Sequence, residues 1–205
     1  TTNSLQAAQD FAANAAHELR TPLTAMRADL DTLRIHNLPD EERDEVVADL
    51  LRAQLRVEAT ITALGQLASG QLAQVEDREP IDVTDLLDRV ARENRRTGST
   101  VEITVEADDD LGTVWGWPGG LRLAVDNLVR NAATHGGAEH VVLTGHRRSH
   151  TIDIIVDDDG AGVPADERDI VLGRFARGST AAPGGSGLGL ALVTQQADLH
   201  GGELD

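Results

Sequence analysis

The sequence of 205 residues contains no cysteine. Disulfide bonds and thiolate metal sites are therefore excluded, and a cytosolic setting is favoured over a secreted one. No apolar run approaches the roughly 18 residues of a membrane span, and no signal peptide is visible. Because the chain begins at Thr1 rather than at methionine, we expect an excised, soluble cytoplasmic fragment, in which case any membrane anchor lies upstream.

Basic residues are scarce as well. The sequence has 18 lysines and arginines against 35 aspartates and glutamates, which gives a formal net charge of −17. Such a surface repels duplex nucleic acid, and no basic stripe compensates for it. The densest basic cluster, residues 146–148, is interpreted as a solvated hairpin tip. We therefore expect no nucleic-acid partner.

Glycine and proline are rare in the first 70 residues, where residues that favour helix dominate. Apolar residues there recur in steps of four and three, which is typical of a helix packed in a bundle. In the first helix they are Ala12, Ala16, Leu19, Leu23, Met26, Leu30 and Leu33. Residues 37–39 interrupt the pattern, and Asp40 is predicted to cap a second helix. Its seam is Val47, Leu50, Gln54, Val57, Ile61, Leu64 and Ala68, with a second stripe at Val46, Leu51 and Leu55.

Two helices joined by a short turn form a hairpin, but one hairpin cannot bury two wide apolar stripes. Two hairpins can bury them as a four-helix bundle, which predicts a homodimer. The alternative is that the helix pair packs against the second half of the same chain.

The second half has a different texture, with frequent glycine and short β-rich runs. Residues 71–82 are polar and are interpreted as a linker. We expect helices at residues 83–95, 118–134 and 187–199, and strands at residues 101–107, 113–115, 140–145 and 151–157. This order indicates an α+β sandwich, one sheet with helices on one face. The predicted domains are residues 1–72 and 83–205, with a linker at residues 73–82.

His17 is the first candidate for chemistry. It lies one position beyond the Ala16 seam and should meet solvent. Glu18 can accept a proton from its ring or orient it, and Thr21 shares its helical face. Pro22 removes a helical hydrogen bond, so a bend is expected beside His17. Taken alone, an exposed helical histidine is usually only a surface residue.

Three further segments suggest a ligand site. Asn127 and Asn131 lie four residues apart on one helical face, and amide oxygens suit Mg²⁺. Asp158 follows a strand and can accept a hydrogen bond from an adenine amino group, beside Gly160 and Gly162. Each segment alone also fits a bland interpretation, namely surface asparagines and an acidic turn or a calcium loop.

The third segment is glycine-rich. Gly185, Gly187 and Gly189 lie where a helix begins, and free backbone N–H groups there favour phosphate. Upstream of it, Arg177 can provide a phosphate contact and Phe175 can anchor the loop. A glycine-rich loop alone is weak support for a phosphate site.

AAHELRTPLTAMR, residues 15–27, resembles the phosphoacceptor motif of class I sensor histidine kinases. The resemblance implies that His17 takes the γ-phosphoryl group of ATP, that Glu18 is the general base, and that Thr21 serves the reverse phosphatase reaction. It also implies a response regulator as partner and a membrane-anchored sensor as the whole protein. The overall pattern is most similar to the PrrB type of actinobacteria.

The later segments, in this order, resemble the asparagine, first glycine, phenylalanine and second glycine boxes of the ATP-binding domain that histidine kinases share with gyrase, Hsp90 and MutL. By that resemblance Asn127 and Asn131 bind Mg·ATP, with Asn131 on the metal, and Asp158 reads adenine. Residues 163–186 would form a lid. The remaining implied nucleotide contacts are Gly160, Gly162, Arg177, Gly185, Gly187, Leu188 and Gly189.

Two departures from the family pattern concern ATP. The family often has lysine and tyrosine where this chain has Thr134 and His135. Arg130 or Arg177 can supply the missing charge, and His135 can stack on adenine. The chain also ends at HGGELD, where the family usually continues with closing strands. The alternatives to a kinase are a gyrase- or Hsp90-like ATPase, which does not need His17, and a non-catalytic dimeric scaffold or phosphatase.

Overall fold

The computed structural model describes residues 2–70, 78–96, 101–179, 181 and 185–205. The chain divides into two compact units. The first contains residues 1–65 and 184–186, and the second contains residues 66–183 and 187–205.

The first unit is built on two long helices, α1 (Thr2–Ile35) and α2 (Asp40–Gly70). The first turn of α2 carries Asp40, Glu41 and Glu42, whose negative charge is favourable at a helix N-terminus. Asp40 is the first residue of the helix rather than the residue before it. Pro22 lies inside α1, and the helix continues on both sides of it.

The buried face of α2 differs from the predicted seam. Ala53 and Thr60 are buried, whereas Val47 and Ile61, two members of the predicted seam, are exposed. Most of the less exposed positions again follow steps of four and three: Val46, Leu50, Ala53, Val57, Thr60, Leu64 and Leu67, while Ala63 is buried beside them. Leu50, Val57 and Leu64 belong to the predicted seam, whereas Val46, Ala53 and Thr60 each lie one residue before a predicted member, so the prediction is right at every second position.

The second unit follows the predicted order of elements closely. Its helices are α3 (Val83–Arg96), α4 (Pro118–Asn131), α5 (Arg168–Val171) and α6 (Gly189–Leu199). Its strands are β1 (Glu79–Asp82), β2 (Glu102–Ala107), β3 (Thr113–Gly116), β4 (His140–Arg147) and β5 (Ile152–Asp158). The α+β class is therefore confirmed.

The strands form two sheets instead of the single predicted sheet. One has the order β2-β4-β5, with β2 parallel and β5 antiparallel to β4. In the other, β1 pairs antiparallel with β3, so that Pro80 lies opposite Trp115. The predicted linker is wrong for residues 79–82, which form β1. Only one side chain of this strand, Ile81, is buried, so no apolar alternation marks it in the sequence. Residues 71–77 of that linker lie outside the described residues.

The core of the second unit lies between the three-stranded sheet and helices α3 and α4. Fully buried side chains from all of these elements meet there. They include Val83, Leu87, Val90, Ile103, Val129, Val141 and Leu143. Helix α4 ends at Asn131, before the predicted end at residue 134. Residues Ala132–Gly136 continue it as one turn of π-helix. Such turns are rare and often occur at functional sites.

Helices α4 and α6 also pack against each other. Gly120 of α4 faces Gln196 of α6, and a side chain at position 120 would overlap the Gln196 amide. Gln196 is fully buried, and neither its Nε2 nor its Oε1 has a hydrogen-bond partner among the described residues. An unpaired amide in the interior opposes folding.

We therefore expect Gln196→Met to stabilise the second unit by about 1 kcal/mol, because it removes the desolvation cost of two unpaired atoms at similar volume. Thermal unfolding of the chain measures this change. Gln195→Met is the matched control on the same helix. It removes the bond from Gln195 Nε2 to the Leu67 carbonyl oxygen, at 3.2 Å, and should gain less. Lower stability for Gln196→Met would mean that the amide has partners in solution.

Candidate functional site

His17 is exposed in the middle of α1, as predicted. Glu18, beside it, is half-buried. The hydroxyl of Thr21 donates to the His17 carbonyl oxygen at 3.4 Å, so the two residues lie one turn apart on the same face. An exposed imidazole on a rigid helix can serve as a nucleophile for a group delivered from outside the helix.

The two asparagines of α4 have different environments. Asn127 is fully buried, and its Nδ2 donates to the Leu123 carbonyl oxygen at 2.8 Å. Its Oδ1 accepts a hydrogen bond from Arg130 Nη2. Asn131 is half-buried in the last turn of the helix. The Asn127 amide therefore bonds within its own helix.

The start of α6 faces both amides. A Cβ atom at Gly189 would lie 3.3 Å from Asn131 Oδ1 and 3.4 Å from Asn127 Oδ1. Because Gly189 has no side chain, the backbone of the first turn of α6 is accessible beside the two amide oxygens. Leu188, directly before the helix, is fully buried and fixes this position. Free N–H groups of a helix start and amide oxygens are together suited to a phosphate with its metal ion.

A second contact holds the segment before α6. Phe175 N–H donates to the Gly187 carbonyl oxygen at 2.8 Å. Phe175 has φ 62°, the only positive value outside glycine among the described residues, and Gly187 has φ 64°. Phe175 thus anchors its loop, as predicted. Gly185 belongs to the first unit, so its place among these glycines stays a prediction.

Within the predicted lid, Glu167 Oε2 accepts a hydrogen bond from Ser179 N–H at 2.8 Å. This bond fixes part of the segment that contains α5. Residues 180 and 182–184 of the lid lie outside the described residues.

Asp158 ends β5 and is exposed. Its Oδ1 accepts a hydrogen bond from Gly160 N–H at 2.9 Å, and Ala161 N–H donates to the Gly136 carbonyl oxygen at the same distance. A Cβ atom at Gly160 would lie 2.5 Å from that carbonyl, so only glycine fits there. Gly162 follows with φ 67°. The turn that contains Asp158 is therefore held against the π-helical turn by the bond between Ala161 and Gly136.

Asp159 is a site residue that sequence reasoning missed. It accepts hydrogen bonds from Glu139 N–H at 2.8 Å, His140 N–H at 2.9 Å and the His140 ring at 2.7 Å. These bonds lower the pKa of Asp159 to about 2, and the bond from the His140 backbone has the largest effect. The side-chain hydrogen bond to Asp159 in turn raises the pKa of His140. Asp159 thereby holds the loop after Asp158 against the start of β4.

His135 lies in the π-helical turn and is half-buried. Burial of its ring lowers its pKa, and the positive charges of Arg177 and then Arg130 lower it further. The imidazole is therefore uncharged at neutral pH, and two guanidinium groups lie near it.

These residues fit Mg·ATP. The oxygen of Asn131, the open backbone at Gly189 and the carboxylate of Asp158 have the chemistry expected of contacts to a metal ion, a phosphate and an adenine amino group, and these contacts stay predictions. Among the described residues, no group of three or more His, Asp or Glu side chains could hold a metal ion. Amide and phosphate oxygens are ligands that suit Mg²⁺.

Two families match this chain. Residues 7–73 match the His Kinase A (phospho-acceptor) domain, and residues 117–205 match the histidine kinase-, DNA gyrase B- and HSP90-like ATPase family. The sensor-type histidine kinase PrrB of Mycobacterium leprae is 51% identical over 202 residues, which cover 98% of this chain and 45% of the relative. The signal transduction histidine-protein kinase/phosphatase MprB of the same organism is 37% identical, over 93% of this chain and 38% of the relative.

A solved structure is similar as well. The crystal structure of the ATP-binding domain of PrrB from Mycobacterium tuberculosis aligns with a TM-score of 0.52 at 43% identity, over 62% of this chain and 84% of that one. The chain spans less than half of the length of the PrrB and MprB relatives that it matches. Within the described ranges, no helix is both long enough and apolar enough to be a membrane span.

We predict that Gly187→Ala weakens Mg·ATP binding by about tenfold or more and lowers the melting temperature. The new Cβ would lie 2.7 Å from the Ala176 carbonyl oxygen at a positive φ, so the contact with Phe175 must open. Titration calorimetry and thermal unfolding measure the two effects.

The matched control for this prediction is Gly201→Ala. Gly201 has φ 74° but nothing within 4 Å of its Cβ position, so it should show only the cost of the backbone, about 1 kcal/mol. Equal nucleotide affinity in the two variants would contradict a role for the Phe175–Gly187 contact.

Proposed function

The chain belongs to the histidine kinase family, and from this premise we propose that it transfers the γ-phosphoryl group of ATP to His17 and then to an aspartate of a response regulator. The observation that carries the proposal is that Asn131 lies beside Gly189 and Asp158 lies beside the π-helical turn that contains His135, in a chain that presents His17 on an exposed helix. The prediction of the PrrB type is confirmed by 51% identity over 98% of the chain.

In the nucleotide site, Asp158 would accept a hydrogen bond from the adenine amino group, with Gly160 and Gly162 giving the base close access to the backbone. The start of α6, from Gly187 to Gly189, would hold the phosphates by its free N–H groups. Asn131 would supply the protein oxygen to Mg²⁺, which when bound neutralises part of the phosphate charge. His135, uncharged at neutral pH, would stack on the adenine.

At the acceptor, a ring nitrogen of His17 would attack the γ-phosphorus with its lone pair. An N–P bond forms, the bond from phosphorus to the β–γ bridging oxygen breaks, and ADP leaves with that oxygen. Glu18 would take the proton from the other ring nitrogen. The phosphohistidine then passes its phosphoryl group to the carboxylate of the regulator. Thr21, beside His17, would serve the reverse reaction, the hydrolysis of the regulator's phosphoaspartate.

Large apolar side chains on the first unit support the proposal of a homodimer. Leu23 and Leu30 on α1 are 50% and 54% exposed, and Leu51 and Leu55 on α2 are 53% and 64% exposed. These side chains extend the apolar stripes of the two helices, and the hairpin of a single chain does not bury them. A second hairpin would bury them as a four-helix bundle.

The proposed domains are residues 1–72, for dimerisation and phosphotransfer, and a catalytic domain that begins at β1. The pairing of Glu79–Asp82 with β3 supports this start in place of residue 83.

Incubation with γ-labelled ATP and Mg²⁺ tests the kinase. We expect a label on the protein that is stable to base and labile to acid, because an N–P bond behaves in this way. His17→Gln should abolish it, since no other nucleophile lies at that position. His36→Gln, which removes another exposed histidine just past the end of α1, should keep it.

Asn131→Asp should also lose most of the label while the helical circular dichroism is unchanged, because the nucleotide site and α1 lie in different units. Full labelling of His17→Gln would refute the assignment. Hydrolysis of ATP without any label on the unaltered protein would instead favour the ATPase alternative.

The dimer is tested by light scattering after size exclusion. We expect twice the chain mass of 21.8 kDa for the unaltered protein and a single chain mass for Leu23→Glu/Leu30→Glu, because buried carboxylates would oppose association. Ala28→Glu alters an exposed position away from this stripe and should remain dimeric. A monomeric unaltered chain would count against the bundle.

A further inference from the structure

We infer that Arg130 is a phosphate-contacting residue of the nucleotide site and that Asn127 is its positioning residue. The inference rests on the proposed function, in which this site binds ATP. It assigns the charge that Thr134 lacks to one of two candidate arginines, and it gives the two asparagines of α4 different roles.

The Asn127 amide has a fixed orientation. It is fully buried, and its Nδ2 donates to the Leu123 carbonyl oxygen at 2.8 Å. With Nδ2 committed to the helix backbone, Oδ1 must point the other way, where it accepts from Arg130 Nη2. Reversal of the amide would place two donors against the guanidinium. Asn127 therefore holds an exposed arginine in one direction, which removes part of its large rotamer entropy.

The same amide oxygen locates the guanidinium relative to α6. Asn127 Oδ1 lies 3.4 Å from the Cβ position of Gly189, and Asn131 Oδ1 lies 3.3 Å from it. The group bound to Asn127 Oδ1 therefore stands next to the first turn of α6 and beside Asn131. A guanidinium has five N–H donors, and the bond to Asn127 uses one. The others can reach phosphate oxygens that bind at the helix start.

Arg130 differs in its ion pairs from Arg122, a second arginine on the same helix. Arg122 bonds to Glu93 Oε2 and lies 3.4 Å from Asp126 Oδ2. Among the ion pairs of the described residues, Arg130 has no carboxylate partner. Its bond to a neutral amide leaves the positive charge uncompensated at the site. Burial first, then the charge of Arg177 and then that of Arg130 lower the pKa of His135, so Arg130 lies near the π-helical turn that follows Asn131.

Titration calorimetry of the whole chain with Mg·ATP, ADP and adenosine tests the inference. Arg130→Ala should weaken ATP and ADP by about tenfold or more, the range of hydrogen bonds to charged groups, while adenosine affinity stays within about twofold. Arg122→Ala, the control on the same helix, should leave all three affinities unchanged. Adenosine binding also reports that the site of each variant is folded.

The role of Asn127 is tested in a double-mutant cycle. Asn127→Ala should weaken ATP in the unaltered chain but have little further effect in the Arg130→Ala background, because its contribution passes through the guanidinium. Thr134→Lys in the Arg130→Ala background should restore most of the ATP affinity, since Thr134 is exposed in the adjoining turn and a lysine there supplies a charge near the phosphates.

Unchanged ATP affinity in Arg130→Ala, with adenosine binding intact, would overturn the inference while leaving the kinase proposal standing. Loss of ATP affinity in Arg177→Ala but not in Arg130→Ala would overturn it as well, in favour of the second arginine. An unaltered chain that binds neither ATP nor adenosine would instead overturn the proposed function, and this inference with it.

Discussion

The close approach of α6 to α4 is the contact on which the nucleotide half of the molecule depends. Two glycines make it possible, since Gly120 accommodates Gln196 near one end of α4 and Gly189 faces the asparagines at the other. The distance between packed helices is set by the side chains at their contact, so glycine permits the shortest one. Leu188 and Leu192, both fully buried, secure α6 in this position. The first turn of α6, which is proposed to bind phosphate, is therefore built on buried side chains and not on a loop.

Hydrogen bonds hold the loops on both sides of the site. Phe175 adopts a left-handed conformation, which costs a non-glycine residue roughly 1–3 kcal/mol, and its N–H bond to Gly187 holds it there. On the other side, Asp159 fixes the turn that presents Asp158, because it bonds to the start of β4 while its neighbour stays exposed. Adjacent aspartates thus differ in their contacts: Asp159 bonds to the start of β4, and Asp158 is the one proposed to contact adenine.

Much of this could be predicted from local sequence. The apolar periodicity of neighbouring residues predicts the bounds of the long helices. The same local patterns place the two asparagines of α4 on one helical face and Asp158 at the end of a strand. The features that were missed depend on distant partners. The bonds of Asp159 reach residues 19 and 20 positions away, and β1 exists because β3 pairs with it. Periodicity was also ambiguous on α2, where two apolar stripes are adjacent and only packing selects which is buried within one chain.

The net charge of −17 is at first sight opposed to binding a polyanionic nucleotide. Distance resolves the conflict, because charges on the surface are screened beyond about 8–10 Å in physiological salt. After burial, the positive charges of Arg177 and Arg130 lower the pKa of His135, so both lie near the π-helical turn, and the N-terminus of α6 adds a partial positive charge. Carboxylates elsewhere, such as Asp126, are paired with Arg122. A strongly acidic chain can therefore provide a site for ATP, provided that positive charge is concentrated where the phosphates are proposed to bind.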